Sequence, residues 1–195
     1  MKGTMLKKWQ RKETNHKRKL SYLLICSMAI LLLAGCNKSD NNDKANNADA
    51  VSSASVVDND TAFVKSISAE GNWIICLTKD LTIKEEAIVD GEFTNGKKDD
   101  SGKDIIQRKI ALYAQDADRN ITDRYTLTVP QLTIKSPNAS LQHGKFVGDI
   151  IVDAEGFQLI DNVVQGNIYF TSQEVKNSFL MDETSSVSGV QEIKE

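Results

Sequence analysis

The sequence predicts an all-β fold, a single-stranded right-handed parallel β-helix with rungs of about 18 residues, behind an N-terminal targeting segment and a polar tether. Three observations predict it. First, an apolar pattern recurs without a gap at an offset of 18: Leu132, Ile134, Ala139, Leu141 and Phe146 map onto Ile150, Val152, Phe157, Leu159 and Val164. Ile150 and Val152 lead on to Ile168 and Phe170. Second, these positions alternate two by two, which places their side chains on one face of short strands. Third, Gly148 and Gly166 stand 18 apart, each opening a Gly-Asp/Asn-Ile corner. In such a coil each rung buries little alone, and like residues stack from rung to rung.

The rungs run over 81–95, 130–147, 148–165 and a looser 166–189, where "SQEVKNSFLMDET" interrupts the count. The first is placed by matching "LTIKEEAIVDGEF" from Leu81 to "LTIKSPNASLQHGKF" from Leu132. That match sets Gly91, Gly144 and Asn162 at one turn, residue types that tolerate a left-handed backbone. Segments 71–79 and 108–129 supply further strands. No aliphatic recurs every sixth residue, which disfavours a left-handed hexapeptide helix. An antiparallel sandwich would show similar short strands, but not an unbroken offset of 18. Residues 94–104, "TNGKKDDSGKD", read as a hairpin loop with turns at Asn95-Gly96 and Ser101-Gly102.

The chain opens with a cationic stretch from Lys2 to Lys19, followed by an apolar run from Leu20 to Gly35. That run is shorter than the roughly 20 residues a spanning helix needs, so residues 1–35 read as a signal peptide. Leu33-Ala34-Gly35-Cys36 resembles a bacterial lipobox. The resemblance implies cleavage before Cys36 and a diacylglycerol thioether on its sulfur, with further acylation of the freed amine. Two or three acyl chains anchor stably where one is marginal.

The signal takes eight of the 24 basic and one of the 27 acidic residues, leaving 16 against 26, a net of −10. An acidic chain without a basic stripe excludes nucleic acid as a partner class. Cys26 leaves with the signal and Cys36 is lipidated, so Cys76 is the one remaining thiol and no disulfide can form within the mature chain. In "WIICL" it reads as a small buried hydrophobe. Residues 36–60, Cys36 and an Asn/Asp/Ser/Ala-rich stretch, are too polar to offset their ordering entropy and read as a flexible tether. Residues 61–195 form the β-helix domain.

Over Gly148–Phe170, "GDIIVDAEGFQLIDNVVQGNIYF", the chain resembles the bactofilins, polymer-forming bacterial cytoskeletal proteins built as small β-helices. The resemblance implies a nucleotide-free scaffold that assembles end to end. This chain departs from the pattern in being exported, in the polar excursion at 94–107 and in its irregular last rung.

Catalytic constellations are sparse. His143 in "LQHGKF", the lone histidine after the signal, reads as a surface turn residue, because a general acid needs a partner within hydrogen-bond reach. Asp149, Asp153 and Asp161 are the best candidates for a carboxylate cluster and read as solvated acids unless the next rung partners them, as Asn167 could Asp149. Asp116, Asp118 and Asn120 open like a calcium loop, but Ile121 replaces its glycine and Leu127 its bidentate glutamate. No metal or cofactor is expected beyond the acyl chains on Cys36.

The expected function is that of a non-catalytic, lipid-anchored extracytoplasmic scaffold or interaction module. Its partners would be the membrane and other envelope components, or itself through its end rungs. The alternative is a polysaccharide-binding module or degenerate carbohydrate-active β-helix enzyme. That reading would want a row of exposed aromatics, and the sequence offers Tyr113, Tyr125 and Tyr169.

Overall fold

The computed structural model describes residues 54–194, within the compact unit Asn47–Glu195. The signal peptide, Leu33, Ala34, Gly35 and the lipidation candidate Cys36 lie outside the described residues.

Alternating apolar residues make short strands that follow one another around a common core. They begin with β1 (Ser55–Val57), a helix α1 (Asp60–Ile67), then β2 (Ile74–Leu77), β3 (Leu81–Thr82) and β4 (Ala87–Val89). A hairpin, β5 (Thr94–Lys98) and β6 (Asp104–Ile106), precedes β7 (Arg108–Ala111). A second hairpin, β8 (Tyr113–Gln115) and β9 (Ile121–Arg124), precedes the long β10 (Thr126–Ile134). Then come β11 (Ala139–Gln142), β12 (Lys145–Val152), β13 (Gln158–Ile160), β14 (Val163–Gln165) and β15 (Ile168–Phe170). Helix α2 (Gln173–Ser178) leads to β16 (Leu180–Met181), β17 (Ser186–Val187) and β18 (Gln191–Ile193).

The protein is therefore all-β in character, and outside the two hairpins every strand pairing is parallel. That rules out the antiparallel sandwich. One sheet runs β1-β2-β7-β11-β13-β16. In the other, β10 and β12 each bend once. Their first halves pair in the order β3-β10-β12-β14-β17, and their second halves join β4, β15 and β18. Pro130 sits at the bend of β10, where the register shifts between Thr128 and Gln131 and its missing N–H costs no ladder bond.

The offset of 18 is physical contact. Leu132, Ile150 and Ile168 stand in register, as do Ile134, Val152 and Phe170, and all six are buried. Leu141 faces Leu159, and Phe146 faces Val164, in the same way. Each such side chain contributes about 1.5–3 kcal/mol by leaving water.

The match of Leu81 to Leu132 is a false register. Leu81 pairs with Leu127, while Ala87 and Val89 pair with Leu132 and Ile134. The repeated "LTIK" therefore serves two different faces, because the alternation that both faces require is the same. Gly91 accordingly follows the third strand of its repeat, whereas Gly144 and Asn162 precede the second. The left-handed backbone at that corner falls one residue earlier, on His143 (φ 58) and Asp161 (φ 49). Gly144 is needed for space instead, since a Cβ there would lie 2.4 Å from Leu112 Cβ.

The corner at Gly148 and Gly166 holds as expected, with φ of 132 and 152. The β5–β6 hairpin reverses at Asp99–Gly102, where Gly102 N donates to Asp99 O, while Asn95-Gly96 lies within β5. In the last repeat the irregular insertion is α2, capped by Ser172, whose Oγ accepts from Val175 N.

β1 and the start of helix α1 belong to the fold although both fall in the polar stretch assigned to the tether: β1 pairs with β2 and Val57 is buried. Asn59 Oδ1 accepts from Ala62 N and caps α1, and Phe63 and Ile67 enter the core against β1, β2 and β4. Arg108, 1% exposed, ties its end down. Nη1 donates to Asp90 O, Nη2 donates to Ser66 O and Ser68 O, and the guanidinium lies over the Phe93 ring. Burial pushes its pKa down to about 10, so it remains charged at neutral pH.

Candidate functional site

The strands stack as five repeats, β2–β4, β7 with β10, β11 with β12, β13–β15 and β16–β18, and the corner between the first and second strands of each gathers most of the chemistry. In the second repeat the β8–β9 hairpin leaves there, and its base closes through Tyr125 N donating to Leu112 O. In the third repeat the corner is His143-Gly144, in the fourth Asp161-Asn162, and in the fifth it begins at Asp182.

His143 Nδ1 lies 3.1 Å from Asp161 Oδ2, and Arg124 Nη2 donates to the same oxygen at 2.5 Å. Asp161 N donates to both carboxylate oxygens of Asp182, at 3.1 and 3.0 Å. Tyr113 meets the His143 ring edge-on at 4.7 Å, and Lys109 Nζ donates to Tyr113 Oη at 2.8 Å. The hydrogen bond with His143, and then Arg124, holds the Asp161 carboxyl below the usual carboxylate range. Asp182 is lowered chiefly by its bond from Ser185. Asn162, next to Asp161, is fully buried, and neither of its side-chain polar atoms has a protein partner.

Beside this column a cleft of about 480 Å³ opens on the outer face, lined among others by Arg124, Thr126, Lys145, Asp161, Val163 and Gln165. The strands fix this lining: Thr126, Lys145 and Val163 stand in register across β10, β12 and β14. Their inward neighbours Leu127, Phe146 and Val164 are fully buried.

The three aspartates read as a possible cluster stand on three different corners. Asp149 accepts from both the backbone N and the Nδ2 of Asn167, the stacked partner its position offered. Asn167 Oδ1 in turn accepts from Val190 N, extending the ladder. Asp153 follows β12 and is exposed, and only Asp161 joins the histidine. A partner for His143 was open to sequence reasoning, since Asp161 lies one 18-residue offset beyond it.

Asp116 closes the β8–β9 hairpin turn. Its Oδ1 accepts from Asp118 N and Asn120 N, and its Oδ2 from Asn120 Nδ2. Among the described residues no group of three or more His, Cys, Asp or Glu side chains is placed to hold a metal ion. Cys76 is half-buried rather than the core residue its apolar run suggested, because strand alternation turns Ile75 and Leu77 inward and Cys76 to the other face, and partial burial pushes its thiol up. Tyr169 faces outward between buried Ile168 and Phe170, away from Tyr113 and Tyr125, so the tyrosines form no row. No family model, curated protein or solved structure matches this chain.

Proposed function

We propose that the five repeats are coils of one right-handed parallel β-helix, and that the protein is a non-catalytic extracytoplasmic scaffold or interaction module. In this reading it is held to a membrane by acyl chains on Cys36 and pairs with a second copy. The right hand follows from the strong preference of parallel crossovers for that sense. The anchor is supported by the Leu33-Ala34-Gly35-Cys36 motif. Among the described residues no helix is long and apolar enough to cross a membrane.

One observation carries the pairing. Among the described residues β16, β17 and β18 each hydrogen-bond to a single neighbouring strand, and Leu180, Met181, Val190 and Ile193 are exposed there at 57, 43, 47 and 38%. Unpaired edges with apolar side chains are a template for another chain. The opposite end carries α1, which buries Phe63 and Ile67. At that end β1, β3 and β4 also have one neighbouring strand each among the described residues, but α1 packs against β1 and β4, so pairing through the β16–β18 end alone gives a closed two-fold pair in place of the end-to-end polymer that the bactofilin likeness implies.

Light scattering on residues 37–195 across concentration, with electron microscopy of the same samples, tests this. The expected mass rises from one copy to two and stops, and Ile193→Arg returns it to one. Growing unbranched polymers would replace the closed pair with a filament, and a strict monomer would remove self-association altogether.

A further inference from the structure

We infer that the second copy docks with β16 against its own β16, on a two-fold axis that passes through Leu180 and through Val190 at the opposite corner. This deepens the pairing proposed above and rests on it. The last repeat has three strands. Its corners are 182–185, 188–190 and the segment holding α2, which leads into β16. A two-fold axis lying across a three-sided end runs through one strand and the opposite corner. It sets that strand antiparallel to its own copy and lays the other two strands on each other, as an isologous contact requires. Three placements exist, centred on β16, β17 or β18.

The apolar side chains select the first. Met181 stands in register with buried Leu159, so it points inward and Leu180 points outward. With β16 on the axis, Leu180 meets Leu180 of the second copy. Met181 then covers the copy's Phe179, a ring already stacked on Phe157. β17 lies against β18 of the second copy, and with Val190 on the axis Val187 meets Ile193 and Ser188 meets Glu192. Val187 and Ile193 both point inward, in register with buried Val164 and Phe170. Leu180, Met181, Val190 and Ile193, the exposed apolar residues of this end, each gain an apolar partner.

The other placements break these matches. With β17 on the axis, β16 lies on β18, so outward Leu180 meets outward Glu192, which stands in register with Tyr169. Val190 then falls against the corner of Asp182 and Glu183. With β18 on the axis, that acidic corner falls on its own copy and gathers four carboxylates, and Leu180 meets Ser186. Like charges set directly opposite are destabilising. With β16 on the axis, the uncharged corner of Ser188, Gly189 and Val190 is the one that meets itself. Asp182 and Glu183 then face a corner of mixed charge, with Glu174, Lys176 and Lys194, and Glu195 next in sequence.

The test is disulfide trapping in the full chain with Cys26, Cys36 and Cys76 replaced by Ser, so that an introduced cysteine is its one thiol. Directly opposed residues of antiparallel strands lie about 4.5–5.5 Å apart at Cα, within disulfide reach. In a non-ionic detergent with copper-phenanthroline as oxidant, Leu180→Cys and Val190→Cys should each convert to the doubled mass on a non-reducing gel. Ser186→Cys and Glu192→Cys should each stay at the single mass, and Ser188→Cys mixed with Glu192→Cys should give the doubled one. All these positions are at least partly exposed apart from any pairing, so the variants keep the core intact. Light scattering of the cysteine-free parent separates the two levels of the reading. A mass of one copy would remove the pairing and the axis with it. A mass of two copies with trapping at Ser186 alone, at Glu192 alone or at none of these positions would keep the pair and overturn the axis on β16.

Discussion

His143 and Asp161, 18 residues apart, meet across consecutive repeats with Nδ1 3.1 Å from Oδ2, and Arg124 from the β8–β9 hairpin closes on the same oxygen. One carboxylate thus fastens an inserted hairpin to the stacked corners behind it.

Removing that charge should show as a pH-dependent loss. The Asp161 carboxyl is held low, first by His143. A depressed acid contributes stability that is present above its unfolded pKa, near 3.9, and is lost as pH falls through its lower folded value. Urea denaturation of Asp161→Asn should therefore show a deficit of about 0.2–1 kcal/mol at pH 7, typical of partly exposed pairs. The deficit should shrink below about pH 4. A deficit that stays constant down to pH 3 would mean that shape, not charge, fastens the hairpin.

The glycine corner should be far less tolerant than the hairpin glycines. A Cβ on Gly166 would lie 1.9 Å from Gly148 O with φ at +152, and one on Gly189 would lie 2.5 Å from Gly166 O. Gly166→Ala should cost at least about 2 kcal/mol, from backbone strain and overpacking together. Gly102 has φ +83 but open space around it, so Gly102→Ala should cost only about 1 kcal/mol. Similar thermal melts for the two variants would contradict this account of the corner.

Arg108→Met keeps much of the side-chain volume but leaves the carbonyls of Ser66, Ser68 and Asp90 without their donor. The expected loss is about 3 kcal/mol, with faster hydrogen exchange across α1 than across β12. Arg108→Lys should recover little, because one ammonium cannot reproduce the planar fork. Even exchange across both segments would show that the guanidinium supports the stack generally rather than the helix.

The proposed anchor is checked by Cys36→Ser. Wild-type protein from a bacterial host should partition into the detergent phase and carry palmitate label. The variant should lose both. Label retained on the variant would place the acyl chain elsewhere.

Legibility followed physical repetition. The offset of 18 over Leu132–Phe170 carried over directly, because Leu132, Ile150 and Ile168, and Ile134, Val152 and Phe170, stand in register from one repeat to the next. The earlier repeats were hidden because hairpins of different length separate their strands, and "LTIK" satisfies either face. Composition placed the start of α1 in the tether, since Asn59 and Asp60 are polar for capping reasons. Nothing near Arg108 in sequence announces its burial, because its acceptors come from residues about 20 and 40 positions away.

The insertions themselves have a practical consequence. The β5–β6 hairpin, the β8–β9 hairpin and α2 each leave and rejoin the chain between strands whose parallel partners stay in register, as Ala87 with Leu132 and Leu159 with Met181 show. The stack thus already tolerates foreign-looking segments at three ports. A peptide epitope spliced in at the Asp99–Gly102 reversal should be displayed at a fixed place beside the stacked strands without disturbing their core, which makes this arrangement a ready carrier for grafted loops.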